Sequence, residues 1–177
     1  MNIQGNKVIL RALESKDNQM LLELINDPET ERMLGGSSFP VSAESQAKWL
    51  ANQANNGNTL RCAIVPLDDM SEAVGTVILS NIDYRNGTAQ IHIKMSKENG
   101  RGKGYGTDAV TALTGYAFKE LRLNCLYADI LEYNLPSQKL FTKCGYTLDG
   151  VLRARVYKDG EYVNIMSYSV VRNEYGK

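Results

Sequence analysis

Glycine and basic residues alternate in residues 99–110, which read NGRGKGYGTDAV. Arg101 and Lys103 stand among the glycines, and a helical pattern of apolar residues begins directly after them. Glycine lets backbone N–H groups approach a ligand without a Cβ in the way, and the start of a helix carries unpaired N–H groups and partial positive charge. A strand, a glycine-rich loop and a helix in this order are therefore suited to binding a pyrophosphate.

Two common phosphate-binding motifs fit this loop poorly. A P-loop requires GxxxxGK[ST], but Gly104 is followed by Tyr105 and no Lys-Ser/Thr pair stands at the required place. A Rossmann site requires GxGxxG in a parallel βαβ unit, whereas GKGYGT follows a strand of a predicted antiparallel meander. A nucleotide-binding oxidoreductase is therefore disfavoured, and a plain surface loop with glycine caps is the structural alternative.

The strands that would carry this loop are read from short apolar runs. Such runs predict strands at 7–13, 60–66, 73–84 and 89–96, and Asn86-Gly87 predicts a hairpin between the last two. The run 124–133 lacks clean alternation, which is typical of a strand buried on both faces. Two further strands are predicted to join at Lys158-Asp159-Gly160.

Helices are predicted between these strands, giving the order βαα–βββ–α–β–α–ββ. Asp17 is expected to cap the first helix and Ser42 a later one, and Pro136 starts a short helix near the end. Helical spacing also predicts a helix over 107–120. The helix after Ser42 would bury Ala47, Leu50, Ala51 and Ala54. We expect an α+β fold built on a mixed, mostly antiparallel sheet.

Composition predicts one globular domain over residues 1–177. The chain is 43% hydrophobic and 23% charged with zero net charge, so no strong field favours nucleic acid or a membrane as partner. The first residues lack the apolar region of a signal peptide, and no apolar run reaches the ~20 residues of a membrane span, so we expect a cytoplasmic protein. Three cysteines without CxxC spacing and a single histidine, His92, argue against disulfides and a metal centre.

Two motifs carry a resemblance to a known family. RGKGYG at 101–106 resembles the R/Q-x-x-G-x-G/A signature of the GCN5-related N-acetyltransferase (GNAT) superfamily, which binds acetyl-CoA. NLPSQKLFTKCGY at 134–146 resembles the family's N-x-x-S/A segment with its closing aromatic-x-K-x-G-aromatic pattern. The final GVLRARVYKDGEYVNIMSYSV resembles the C-terminal hairpin of the branch that acetylates ribosomal-protein N-termini, spermidine and related amines. The resemblance covers nearly the whole chain and implies a GNAT fold, with helices on both faces of the sheet.

The resemblance assigns cofactor-binding roles to three parts of the chain. The backbone at the end of the 89–96 strand would pair with the pantetheine arm of acetyl-CoA, at Lys94, Met95 and Ser96. Backbone N–H groups of the loop would hold the pyrophosphate, at Arg101, Gly102, Lys103, Gly104, Tyr105, Gly106 and Thr107. The later motif would add Asn134 as a pantetheine partner, with Ser137 and Lys143 as further contacts.

Two features qualify these assignments. SKENGRGKG is one residue longer than the common S-P-E-x-R-G-K-G and lacks its proline, which leaves the donors at 99–101 open. For Lys143, a solvated helix lysine is an equal alternative to a phosphate contact.

The reaction implied by the resemblance is acetyl transfer from a thioester to an amine, which must lose a proton to attack. Many family members place a tyrosine where Phe141 stands and a glutamate where Gln90 stands, and neither residue here can exchange that proton. His92 shares the strand face of Gln90, so it is our candidate base. A packed or hydrogen-bonded strand histidine is the structural alternative, and Asp129 and Glu132 are weaker candidates for the base.

The sequence does not determine which amine accepts the acetyl group. A polyamine, another small amine and a protein N-terminus are all compatible with the sequence, and several segments could line the acceptor site: Tyr84 and Arg85, the Glu29–Arg32 turn, and the helix of Trp49. Tyr133 and Tyr146 are candidates to protonate the leaving thiolate. The alternative function is a GNAT-fold acyl-CoA-binding module with weak or no catalysis. Pairing of two copies through the C-terminal strands would give a homodimer.

Overall fold

The computed structural model describes residues 1–36, 39–53, 57–96 and 100–176. Its strands form one sheet in the order β1-β2-β3-β4-β5-β6-β8-β7. Their bounds are β1 Ile3–Gln4, β2 Val8–Arg11, β3 Leu60–Pro66, β4 Gly75–Asp83, β5 Thr88–Met95, β6 Cys125–Leu131, β7 Thr147–Lys158 and β8 Glu161–Val171. The helices are α1 Asn18–Asn26, α2 Pro28–Arg32, α3 Ala43–Ala51, α4 Tyr105–Lys119 and α5 Leu135–Lys143. Within the described residues, no helix is long and apolar enough to cross a membrane.

The predicted order of elements is confirmed with two additions: the two-residue strand β1 in front, and the short helix α2 where the turn at Glu29–Arg32 was expected. The Ser42 hydroxyl caps α3 by accepting a 3.1 Å hydrogen bond from the N–H of Ser45. Asp17 occupies the N-cap position of α1 as predicted, but its side chain makes no capping hydrogen bond to that helix. Its carboxylate instead accepts hydrogen bonds of 2.7 and 2.8 Å from the Arg11 guanidinium, which hold it back against β2.

The divergence of β5 and β6 is the feature of the sheet that matters most for function. These two strands run parallel, whereas the other neighbouring pairs are antiparallel. They pair only where Thr88–Gln90 lies beside 125–127. Beyond that point β5 runs on to Met95 bonded to β4, and β6 runs on to Leu131 bonded to β8. A wedge therefore opens between their C-terminal ends.

The two faces of the sheet are covered differently. One face packs against α4, whose Ala109, Val110, Leu113 and Ala117 are fully buried. On β6, Leu126, Ala128 and Ile130 are buried on that side, while Asp129 is exposed on the other. On that second side Cys125 and Tyr127 are half-buried and Leu131 is buried, so the prediction that this strand is buried on both faces is confirmed only at its end.

Helix α3 also turns a different side inward from the one predicted. Ala47 and Ala51 are exposed and Leu50 is half-buried, whereas Gln46 is buried at 6% exposure. Ala54 lies outside the described residues. Alanines carry little apolar area, so their spacing is a weak guide to the side that packs. The side of α3 that faces the molecule carries Gln46 and Trp49, which line a cavity against β3 and β4.

Candidate active site

An open cleft of about 470 Å³ lies where β5 and β6 diverge. Its walls are the end of β5, the glycine loop with the start of α4, the start of α5, and the α2 turn. The residues predicted from sequence that line it are Lys94, Met95, Arg101, Gly102, Gly104, Gly106, Thr107, Asn134 and Ser137. The fold thus brings together cofactor candidates from three separate parts of the chain.

Glycines are required in the loop by backbone geometry and by space. Gly102 and Gly104 have φ of 80° and 84°, in the left-handed region that side chains disfavour. At Gly106 a Cβ would lie 3.1 Å from Leu140 Cδ1 and 3.4 Å from Ile93 Cδ1, which is tighter than ordinary contact. Gly106 therefore lets α4 start close against the floor of the cleft.

The start of α4 is tied to the turn between β1 and β2. The Asp108 carboxylate accepts hydrogen bonds from the backbone N–H groups of Lys7 at 2.7 Å, Val8 at 3.0 Å and Asn6 at 3.1 Å. The Lys7 ammonium donates to the Lys103 carbonyl at 3.1 Å. Neither Asp108 nor Lys7 was predicted from the sequence; the available signal was an acid in the first turn of a helix.

Four of the predicted cofactor residues do not line this cleft. The N–H of Ser96 donates to the Val74 carbonyl at 2.8 Å, which continues the β4–β5 ladder. Ser96, Lys103 and Tyr105 line a neighbouring surface groove instead. The Tyr105 hydroxyl donates to Asp68 at 2.7 Å in that groove, and this hydrogen bond raises the pKa of Tyr105. Lys143 is exposed at the last turn of α5. Their contacts to a cofactor stay predictions.

Asn134 bridges the cleft's two far walls. Its side-chain oxygen accepts a 3.2 Å hydrogen bond from the N–H of Ser137, which caps α5, and its nitrogen donates to the Met33 carbonyl at 3.0 Å. The adjacent Tyr133 hydroxyl donates to the Arg32 carbonyl at 2.6 Å. These bonds fix the α2 turn against the start of α5. The amide oxygen of Asn134 keeps a second lone pair for a ligand N–H.

The carboxylates of the α2 turn face cationic partners. Glu29 lies 3.3 Å from the Arg101 guanidinium. Glu31 lies 2.6 Å from the buried Lys158 ammonium, which reaches across from the β7–β8 hairpin. Their negative charges are thus largely neutralised by the chain itself.

His92 lies on the open face of β5, beside the divergence. Its Nε2 is 2.8 Å from the Ser80 hydroxyl on β4. Partial burial lowers the pKa of His92, and the positive charges of Lys94 and Arg61 lower it further, whereas Asp129 opposes them. The imidazole is therefore neutral at pH 7 and can accept a proton.

A polar network continues from His92 across the open face. The Gln90 amide donates to Asp129 at 3.3 Å, and the Ser167 hydroxyl donates to the same carboxylate at 2.9 Å. Glu132 accepts from the N–H and side chain of Asn164 at 2.8 and 2.9 Å, which directs it to β8. In the tautomer that carries its proton on Nε2, His92 donates to Ser80 and keeps the Nδ1 lone pair for a proton.

Two aromatic candidates lie in the core rather than at the cleft. Phe141 is 2% exposed and packs edge-to-face on Tyr146 at 5.0 Å between ring centres. The Tyr146 hydroxyl pairs with Thr114 at 2.8 Å, and burial raises its pKa. Tyr84 and Arg85 lie at the β4–β5 hairpin, the opposite end of β5 from the cleft.

Comparison with known proteins identifies the family. The model of the acetyltransferase (GNAT) domain matches residues 7–147. The chain belongs to the GNAT family. An uncharacterized N-acetyltransferase of Bacillus licheniformis, p20, is 29% identical over 173 residues, which cover 96% of this chain and 95% of that protein. The spermidine N(1)-acetyltransferase of Escherichia coli K12 is 26% identical over 171 residues, covering 97% and 89%.

The GNAT fold is also seen in solved structures. The spermidine N-acetyltransferase of Vibrio cholerae, solved in complex with CoA and spermine, superposes with a TM-score of 0.86 at 20% identity, covering 97% of this chain and 99% of that one. The chain is an N-acetyltransferase, and acetyl-CoA is the co-substrate of its family. The cleft fits that co-substrate, since the free edge of β5 can pair with an extended arm and the glycine loop opens α4 toward a pyrophosphate.

Proposed function

We propose that this GNAT enzyme binds acetyl-CoA in the β5–β6 cleft and transfers the acetyl group to a primary amine by direct attack in a ternary complex. The observation that carries the proposal is the divergence of the two strands beside His92. An unpaired strand edge and a glycine-rich helix start lie at one opening. His92 does not line that opening but lies two residues before Lys94, which does, and on the same face of β5. Acetyl-CoA supplies the activated acetyl group when it is bound there.

The cofactor side of the site divides into two parts. The unpaired edge of β5 at Lys94 and Met95 is proposed to hydrogen-bond the pantetheine, with Asn134 opposite. The N–H groups from Arg101 to Thr107 are proposed to hold the pyrophosphate at the start of α4. The positive charge of Arg101 would also attract the pyrophosphate, while its guanidinium stays 3.3 Å from the Glu29 carboxylate.

The amine side is proposed to use His92 as the base. The amine nitrogen forms an amide bond to the acetyl carbon as the carbon–sulfur bond breaks, its proton passes to His92, and the thiolate leaves with the electron pair. Ser80 holds Nε2 in a hydrogen bond and so orients the ring. Phe141 has no proton to give and the Tyr146 hydroxyl is paired with Thr114, so the thiolate departs without either.

The test is release of free thiol from acetyl-CoA by a panel of primary amines, together with calorimetric titration of CoA. We expect CoA to bind and at least one amine to release thiol in proportion to acetylated product. Binding of CoA without thiol release across amino acids, polyamines and N-terminal peptides would support the alternative of an acyl-CoA-binding module. Weak CoA binding by a folded chain would contradict both.

Location and assembly are further proposals. A cytoplasmic location agrees with the neutral composition. A homodimer could form at β7, which lies at the edge of the sheet and exposes Leu148, Val151 and Tyr157. Light scattering at several concentrations tests the dimer, and a mass of one chain throughout would contradict it.

A further inference from the structure

A second cavity, of about 460 Å³, lies between the sheet and helices α1 and α3. Most of its lining is apolar, formed by Leu13, Leu21, Leu24, Ile25, Val41, Trp49 and Ile78. The remaining lining residues are Ser45, Gln46, Arg61, Thr76 and Lys94, so both charged side chains are cationic. The cavity is thus an apolar pocket with a basic end.

Strand register connects the basic end to the reaction centre. Arg61 on β3 lies opposite Ile78 on β4, and Ile78 lies opposite His92 on β5. Lys94 follows His92 by two positions and therefore shares its face. Lys94 also lines the acetyl-CoA cleft, so the cavity and the cleft meet at this residue.

Lys94 is a half-buried ammonium without a counter-charge among the residues that the structure describes. Its burial lowers the pKa of Lys94, and among the described residues no hydrogen bond or ion pair reaches the ammonium. A partly desolvated charge without a partner is costly, and an anionic group would relieve that cost. The basic end of the cavity therefore favours an anion.

A polycation fits this cavity poorly. The described lining contains no carboxylate, and the nearby acids Glu29 and Glu31 already pair with Arg101 and Lys158. A polyamine would place an ammonium group beside Lys94, where like charges repel.

We infer, resting on the proposed function, that this cavity receives the acceptor, and that the acceptor is a primary amine carrying a carboxylate and a large apolar group. An amino acid such as phenylalanine has this chemistry. The apolar group fills the pocket between α1, α3 and Ile78, and the carboxylate pairs with Lys94. The amine, attached to the same carbon, then lies beside His92 and the mouth of the cleft.

The first experiment compares phenylalanine, phenylalanine amide, glycine and spermidine as acceptors, with thiol release giving kcat/KM. We expect phenylalanine to exceed its amide by about tenfold, the effect of one hydrogen bond to a charged group. The kcat/KM for phenylalanine should also exceed that for glycine by about tenfold or more, because the ring of phenylalanine is buried in the cavity. A kcat/KM for spermidine or glycine equal to that for phenylalanine would overturn this inference, while the proposed function would stand. No thiol release by any amine would overturn the proposed function as well.

Two variants separate the parts of the inference. Lys94→Met keeps the apolar stem of the side chain and removes its charge. The ratio of kcat/KM for phenylalanine to that for its amide should therefore fall to about one. Lys119→Met, on the exposed surface of α4, is the control. Ser45→Phe, at an exposed position on the rim, should remove the preference for phenylalanine over glycine. An unchanged ratio in either folded variant would overturn the assignment, since a merely structural defect lowers both rates together.

Discussion

The Asp108 carboxylate accepts a 2.7 Å hydrogen bond from the backbone N–H of Lys7, a residue 101 positions earlier in the chain. Lys7 in turn holds the Lys103 carbonyl through its ammonium. The start of α4, and with it the glycine loop, is therefore fixed from outside by the β1–β2 turn. The order of this loop depends on contacts that no local motif contains.

Asp108→Ala should lower both stability and cofactor affinity. Three backbone N–H groups lose a charged acceptor, so we expect the free energy of unfolding to fall by about 3 kcal/mol. CoA affinity should fall as well, since the loop loses its anchor. Urea unfolding and calorimetry measure the two effects. Glu120→Ala, at the exposed far end of α4, is the matched control and should change stability by less than about 0.5 kcal/mol.

Gly106→Ala should weaken CoA binding by tenfold or more. The added methyl meets Leu140 and Ile93 at the cleft floor and pushes the helix start away from the ligand. Gly115→Ala in the same helix is the control, because its methyl would meet Tyr175 at 3.6 Å, an ordinary contact. That control should bind CoA normally and gain up to about 1 kcal/mol of stability. Equal affinity in the two variants would refute the role given to Gly106.

His92→Gln should reduce kcat by about 100-fold and leave CoA affinity unchanged, because only proton transfer is lost. In the native enzyme, kcat/KM should fall as acid charges His92, with a midpoint below the ordinary value of 6.5 because burial and two cations lower the pKa. That part of the fall should be absent from the variant. Ser80→Ala provides a second measurement: the fall of kcat/KM with acid should remain, but its midpoint pH should move, because Ser80 hydrogen-bonds His92. Because protonation of the amine lowers kcat/KM in both proteins, equal slopes for native enzyme and His92→Gln between pH 5 and 7 would exclude His92 as the base.

The buried ion pair of Arg11 and Asp17 should make stability depend on pH. Burial would by itself raise the pKa of Asp17, but its hydrogen bonds to Arg11 and to the N–H of Glu14 lower it below 3.8 overall. The pair therefore stabilises the fold above the ordinary pKa, and this contribution is lost as pH falls through the lowered value. Arg11→Met should cost about 3 kcal/mol at pH 7, because it leaves a buried charge unpaired.

Urea unfolding at pH 7 and pH 3 measures this dependence. The difference between native protein and Arg11→Met should shrink at the lower pH, where Asp17 begins to take up a proton. Arg153→Met, on the exposed part of β7, is the control and should leave the free energy of unfolding nearly unchanged at both pH values. A difference that grows as the pH falls would contradict a lowered pKa for Asp17.

Local signals in the sequence were sufficient for most of the helices and strands and for the glycine loop before α4. Glycines at 102, 104 and 106 mark a loop whose φ angles and close packing few other residues allow. The Asn86-Gly87 turn and the Ser42 cap likewise depend on neighbours in the chain. Such features are set by backbone sterics and short-range hydrogen bonds, which residue types reveal directly.

Tertiary structure alone decided the rest. Asp17 was predicted as a cap and became half of an ion pair, because Arg11 on the neighbouring strand competes for its carboxylate. The inward side of α3 was set by the cavity that it covers rather than by its alanines.

The sequence by itself determined the family, most of the order of elements and the glycine loop that we propose to face acetyl-CoA. Only the fold decided where β5 and β6 separate, and that His92 and Lys94 share the open face at that point. The physical reason is that these relationships depend on strand pairing and packing between distant segments, whereas the loop depends on the conformational freedom of its own residues.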